Sequence, residues 1–300
     1  MYINQEKNLM NTKPPRPAPN GERGGKMGEI SYKNYYVAAI DILGFSQYVR
    51  SNSFSYVKDI FTDIPRFTAL VIDNPNNDFT QEMLDSVTLN VISDTIVIAV
   101  PEETYRSLEI LVLIVDTVVF NLYREYRLPC RGGIAYGEFY SDGNIAFGRA
   151  FVDAHELECL LAVTPRIIFP RSVYDTYAAS VGEKELLYLS DIMILEADEE
   201  LFIANYFGFA MIRCACDVEL NRMSREDAES LFETICREIE HELCVRTDKR
   251  VRDKYIYLRD YYNAQLDILR DEAEKSKISI PFRIRKVFGR ERARVNQTLQ

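Results

Sequence analysis

Two aspartates of this 300-residue chain occupy positions where a carboxylate does chemistry. Asp41 ends a continuous apolar run, Tyr35-Tyr36-Val37-Ala38-Ala39-Ile40. A carboxylate left unpaired inside such a run costs several kcal/mol. Asp94 lies between two β-rich runs, 85–92 and 95–100, which leave room only for a tight hairpin at Ser93-Asp94. If that hairpin packs beside the Asp41 strand, both carboxylates meet at one edge of a sheet. Two anions held together there are strained unless cations join them, and an oxygen-rich site for Mg²⁺ or Mn²⁺ resolves the strain. Taken singly, each aspartate also fits a plainer role, as a helix cap or in an Asx-turn. The loop Ile42-Leu43-Gly44-Phe45-Ser46 tips the balance, because backbone N–H groups in a glycine-bearing strand-to-helix loop can cradle phosphate oxygens. A carboxylate, a phosphate cradle and a second carboxylate are the parts that two-metal chemistry on a polyphosphate needs.

These residues need a frame. The run ending at Asp41 suits a central strand buried on both faces. A short helix is expected over 45–50 and a longer one over 54–73, closed by the turn Asn74-Pro75-Asn76-Asn77. After the hairpin, 103–127 has the length and period of a helix and stops before Pro129. Residues 131–139 read as a strand, 141–144 as a turn, 145–147 as a returning strand and 149–162 as a helix. The expected order is β-α-α-β-β-α-β-β-α, an α/β sandwich with helices on a sheet. Further on, 167–169 and 186–189 have the character of short strands, and 225–243 and 250–274 read as amphipathic helices. The expected organisation is a polar, Pro- and Gly-rich leader over 1–30, a catalytic domain over 31–210, a helical extension over 211–280 and a basic tail over 281–300.

Four segments carry a resemblance to a known family. "AAIDILGFSQYV" resembles the strand and loop of class III adenylate and guanylate cyclases, whose pattern is F-x-D-[IL]-x-G-[FY]-[ST]. "LNVISDTIVIAV" is similar to their metal-binding hairpin, "RGGIAYGEFY" to their R-x-G-[IV]-x-x-G strand, and "FGRAFVDAHELE" to the start of the helix that follows. The resemblance implies a ferredoxin-type sheet and closure of a nucleoside triphosphate to a 3′,5′-cyclic monophosphate. It implies two Mn²⁺ or Mg²⁺ ions held by Asp41, Asp94 and the carbonyl of Ile42. It makes Ile42, Leu43, Gly44 and Phe45 the triphosphate cradle and implies a homodimer.

The departures matter as much. The lysine with which the family reads a purine corresponds to Asn90, and its acidic or thiol partner falls at about Ile145. The asparagine and arginine that orient the ribose and stabilise the transition state fall at about Val152 and Glu156. Arg131 and Arg149 are then the candidate replacement cations, with Arg149 placed at a helix start beside a glycine. A retained metal half and a rewritten base-reading half, with "VRDKYIYLRDYYN" late in the chain, resemble the pyrimidine cyclases of Pycsar antiphage systems. That implies UTP, with CTP second, as substrate and a separate cyclic-nucleotide-responsive effector as partner. A purine cyclase and a catalytically silent cyclase-like module are the alternatives.

Bulk properties fit this reading. Forty-seven per cent hydrophobic and 27% charged residues describe an ordinary globular chain, and a net charge of −10 argues against nucleic acid or an anionic membrane as partner of the main body. Residues 1–30 lack the apolar stretch of a signal peptide, and 108–119, the most apolar segment, is too short to span a bilayer; a cytoplasmic location is expected. The six cysteines lack metal-ligand spacing and read as buried reduced thiols, and His155 and His241 as non-catalytic helix residues. The arginines and lysine of 282–294 read as a solvated terminus.

Overall fold

A computed structural model of the chain describes residues 33–72, 79–142, 145–183, 186, 189, 194–196 and 200–288. The leader expected over 1–30 and the turn at 74–77 lie outside these residues. The first strand, β1 (Lys33–Ile42), is central because its run of small and β-branched residues can be buried on both faces. Helices α1 (Phe45–Ser51), α2 (Phe54–Ile72) and α3 (Gln81–Asp85) follow it. Then come the hairpin β2 (Thr88–Ile92) and β3 (Thr95–Pro101), helix α4 (Ser107–Tyr126), β4 (Cys130–Ser141), the two-residue β5 (Ala146–Phe147) and α5 (Arg149–Leu160). The expected strand at 85–92 starts late. Thr80 caps α3 by accepting from the Met83 N–H, and Leu84 is buried, so 81–85 is helical.

The sheet continues through β6 (Ile167–Pro170), β7 (Ile194–Glu196) and β8 (Leu201–Ala204), with α6 (Arg171–Ala178) after β6. Strand order is β2-β3-β1-β4-β6-β8-β7, with β5 paired to the far end of β4. Among these pairings only β4 with β6 is parallel. Leu186 and Leu189, expected in a strand, are helical; positions 187 and 188 between them lie outside the described residues. The fold is the expected α/β arrangement of a mixed sheet with helices packed on it.

The period-2 alternation of β1 sorts the core. Tyr36, Ala38, Ile40 and Ile42 face the large apolar cluster shared with α2 and α4, whereas Val37 and Ala39 face α5 through Ala150 and Ala154. Gly133 of β4 lies so close under α5 that a Cβ there would sit 2.4 Å from the Ala154 carbonyl oxygen. Helix α4 is buried at nearly every position, because the C-terminal helices α7 (Tyr206–Glu219), α8 (Arg225–Val245) and α9 (Lys249–Ser276) complete its surroundings. Asn205 caps α7 by accepting from the Gly208 N–H and also accepts from the Tyr261 hydroxyl at 3.1 Å, tying α9 to the α7 terminus.

Two expectations need correction. The basic segment after α9 is not a solvated tail up to its last described residue, Phe288. Phe282 stacks on Phe232 with centroids 5.6 Å apart, Arg285 pairs with Glu233 at 2.7 Å and Glu240 at 2.6 Å, and Lys286 pairs with Asp267 at 2.6 Å. The acidic faces of α8 and α9 fold the basic segment back onto the body. The cysteines also divide: Cys130, Cys214 and Cys236 are buried, whereas Cys159, Cys216 and Cys244 are exposed on their helices.

Candidate active site

Asp41 is the last residue of β1 before Ile42, opposite Thr95 of β3 on one side and Arg131 of β4 on the other. Asp94 stands in the two-residue turn that precedes Thr95, a turn admitted by the positive φ of Ser93 (58°). The Ile42 N–H donates to the Asp94 carbonyl at 3.0 Å, extending the β1–β3 ladder by one step. The backbones carrying the two carboxylates therefore adjoin at one end of the sheet. Both residues are partly exposed, so the end is open to solvent.

The loop that follows is held at both ends. Leu43 donates its N–H to the Pro129 carbonyl at 2.9 Å, and Phe45 is buried edge-on against Phe61 with centroids 5.7 Å apart. Between them Gly44 takes φ 79°, a left-handed conformation that favours glycine, with open space where a Cβ would be. Its backbone is thus exposed beside Asp41, as a phosphate cradle requires.

Arg131 does more than accompany the strand. Its Nε donates to Asp41 Oδ2 at 3.0 Å, and its Nη2 lies 2.7 Å from Glu158 Oε1. Glu158 reaches it from the end of α5 and is only 4% exposed. The guanidinium therefore bridges the first candidate metal carboxylate and a buried glutamate. A second cation arrives from the C-terminal helices. Lys254 of α9 is half-buried, and its ammonium is pushed below the usual lysine range by burial and by the Arg131 charge, with Asp41 opposing. Burial likewise pushes up the thiol of Cys130, helped by the Asp41 charge.

The remaining candidates lie elsewhere. Arg149 begins α5 just after β5, which pairs with Tyr140 and Ser141 at the opposite end of β4 from Arg131. Its side chain is 80% exposed and faces Asp153 at 3.6 Å, so within one chain it is not brought to Asp41. Asn90 of β2 donates through Nδ2 to Ser141 Oγ at 3.3 Å, tying the outer strand to the β4–β5 arm. Ile145 and Val152 are exposed on that arm and on α5. Glu158 and Lys254 were not singled out by sequence reasoning. Each sits inside a segment that carried the family resemblance, 147–158 and 251–263, yet nothing in the local sequence ties either of them to Arg131 or to the Asp41 charge.

The residues fit a hard divalent cation. Two aspartates and a backbone carbonyl, carried on backbones that adjoin at one sheet end, offer oxygen donors of the kind that Mg²⁺ or Mn²⁺ takes, and the Arg131 hydrogen bond engages only one oxygen of Asp41. Asp41, Asp94 and the Ile42 carbonyl would hold it.

No protein-family model matches the sequence, and no curated protein is similar to it. Solved structures similar to this chain include two of a bacterial light-regulated adenylyl cyclase. One has a TM-score of 0.40 at 12% identity, covering 59% of this chain and 52% of the other, and the second has 0.38 at 13%, covering 59% and 92%. The chain thus spans about half the length of the first. An adenylate/guanylate cyclase/hydrolase from Silicibacter pomeroyi has a TM-score of 0.33 at 16% identity, covering 58% of this chain and 97% of the other. At such scores no activity transfers from these proteins to this chain.

Proposed function

We propose that this chain is a nucleotidyl cyclase of the class III type that closes UTP, or CTP in second place, to a 3′,5′-cyclic monophosphate. The observation that carries the reading is the adjoining of Asp41 and Asp94 at the open end of the β1–β3 ladder, beside the exposed Gly44 backbone. In the reaction the ribose 3′-oxygen bonds to the α-phosphorus, the bond to the bridging oxygen breaks, pyrophosphate leaves and the hydroxyl proton passes to solvent. Divalent cations bound at the aspartates would acidify that hydroxyl and neutralise the departing charge. Asp41 and Asp94 hold and orient, the 42–45 loop donates N–H groups to phosphate oxygens, and Lys254 with Arg131 supplies positive charge. Glu158 keeps Arg131 in place when Asp41 turns to a cation.

Asn90 supports a pyrimidine. Its amide offers a donor and an acceptor of the kind a uracil or cytosine edge needs, and Ser141 sits within hydrogen-bonding distance. A homodimer is supported by apolar side chains left exposed on α5 and in the turn before β5: Val152 and Leu160 are 53% and 71% exposed, and Ile145 55%. The role as second-messenger synthase for a separate effector in antiphage defence is what the resemblance of 251–263 implies. Among the described residues no helix is long and apolar enough to cross a membrane.

A second reading, a catalytically silent nucleotide-binding module, is favoured by one observation: Arg131 already occupies an oxygen of Asp41. Incubation of the purified protein with each of the four nucleoside triphosphates and Mn²⁺, with product analysis by mass spectrometry, separates the possibilities. Cyclic UMP or cyclic CMP is expected. Cyclic AMP or cyclic GMP would replace the pyrimidine reading, and absence of pyrophosphate release from a folded dimer would leave the silent module.

A further inference from the structure

On the outer end of α5, His155, Glu158 and Cys159 follow the i, i+3, i+4 spacing that stacks side chains on one helix face. Their ligand atoms converge. Glu158 Oε2 lies 3.2 Å from His155 Nδ1 and 3.1 Å from Cys159 Sγ, and the sulfur lies 3.9 Å from His155 Nδ1. A tetrahedral Zn²⁺ with ordinary bond lengths sets its nitrogen and oxygen ligands about 3.3 Å apart and its sulfur about 3.5 Å from either. The three observed separations match that frame to within about 0.4 Å, so no backbone movement is needed to admit the ion. We propose that His155, Glu158 and Cys159 form a Zn²⁺ site, with the fourth position open to solvent.

The chemistry of the donors selects the metal. A thiolate, an imidazole and a carboxylate together suit Zn²⁺ and disfavour Mg²⁺ and Ca²⁺, which take oxygen ligands. The anchoring ligand is also fixed from behind. Glu158 is 4% exposed, and its other oxygen, Oε1, faces the Arg131 guanidinium at 2.7 Å, the outer-shell arrangement that orients a metal-binding carboxylate. His155 and Cys159 are exposed, which leaves an entry path. On binding, the Cys159 thiol, which donates to Glu158 in the metal-free arrangement, gives its proton to solvent and the sulfur turns to the ion. A second convergent group, Glu238, His241 and Glu242 on α8, lacks a thiolate and serves as an internal contrast. The inference uses nothing from the proposed cyclase activity.

Titration of the full chain with Co²⁺ under reducing conditions, followed by displacement with Zn²⁺, tests it. The expected result is a sulfur-to-cobalt charge-transfer band with tetrahedral ligand-field bands, saturating near one ion per chain and bleached by Zn²⁺. Cys159→Ser should abolish the charge-transfer band, and His155→Ala should weaken Co²⁺ binding at least tenfold. Both side chains are exposed, so both variants should keep the wild-type circular dichroism spectrum. Absence of the charge-transfer band in the wild type, or a band unchanged in Cys159→Ser, would overturn the proposal.

Discussion

Replacing Arg131 by methionine should destabilise the protein through Glu158 more than through Asp41. The guanidinium touches both carboxylates, at 3.0 Å and 2.7 Å, but their surroundings differ: Asp41 is 21% exposed and can recover water, whereas Glu158 is 4% exposed and cannot. Removing one partner of a fully buried ion pair costs about 3–5 kcal/mol. Here Arg131 is itself 25% exposed and Asp41 regains solvent, so the expected loss is about 2–3 kcal/mol. At about 2–4 °C per kcal/mol for a domain of this size, that lowers Tm by about 4–12 °C. The assay is thermal and urea unfolding of four proteins: wild type, Arg131→Met, Glu158→Gln and the double variant. Neutralising Glu158 in the Arg131→Met background should recover more than half of the loss, a coupling of about 1–2 kcal/mol. If the single-variant costs simply add, or if Arg131→Met melts within 1 °C or so of wild type, the bridge is not what holds this end of the sheet.

Asp116 of α4 is fully buried, and among the described residues neither of its carboxylate oxygens has a hydrogen-bond partner; burial pushes its pKa well above the usual carboxylate range. The folded state therefore retains that proton where the unfolded chain has released it, so stability falls as pH rises from about 4 through the raised pKa. Asp116→Asn should flatten this dependence and raise the neutral-pH stability, as read by denaturant midpoints across pH. Gly133→Ala should lower stability by about 1–3 kcal/mol in urea unfolding, because the added Cβ meets the Ala154 carbonyl and Leu157 Cβ at 2.4 and 2.5 Å and must push α5 away.

Much of the frame was legible because its signals are local. The apolar run of β1 is long enough to mark a buried strand, the two-residue gap at Ser93-Asp94 admits little besides a hairpin, and the proline after 128 stops α4. The three-residue β7 and four-residue β8 carry too few positions for a period to show, and 81–85 became helical through one threonine cap that a β-rich reading overlooked. At the site, Asp41 and Asp94 could be related because one pairing step joins their strands. That Arg149 stands apart from Asp41 within one chain could not be read, since adjacency to a recognisable segment does not say at which end of β4 that segment lies. Glu158 reaches Arg131 through the packing of α5, and Lys254 of α9 feels the charges of Arg131 and Asp41, through tertiary packing in both cases. Arg285 and Lys286 found their acidic partners on α8 and α9, some 19 to 52 residues earlier, which charge counting along the chain does not reveal.

Whether Asp41 and Asp94 jointly hold a divalent cation is decided by Mn²⁺ binding to the wild-type protein and to Asp41→Asn and Asp94→Asn, followed by electron paramagnetic resonance of free Mn²⁺. Each substitution keeps the side-chain size and removes one charge. The wild type is expected to take up Mn²⁺ in the presence of UTP, and either substitution alone to reduce the affinity at least tenfold. Equal uptake by the wild type and both variants, or none by the wild type with any nucleoside triphosphate, would contradict it.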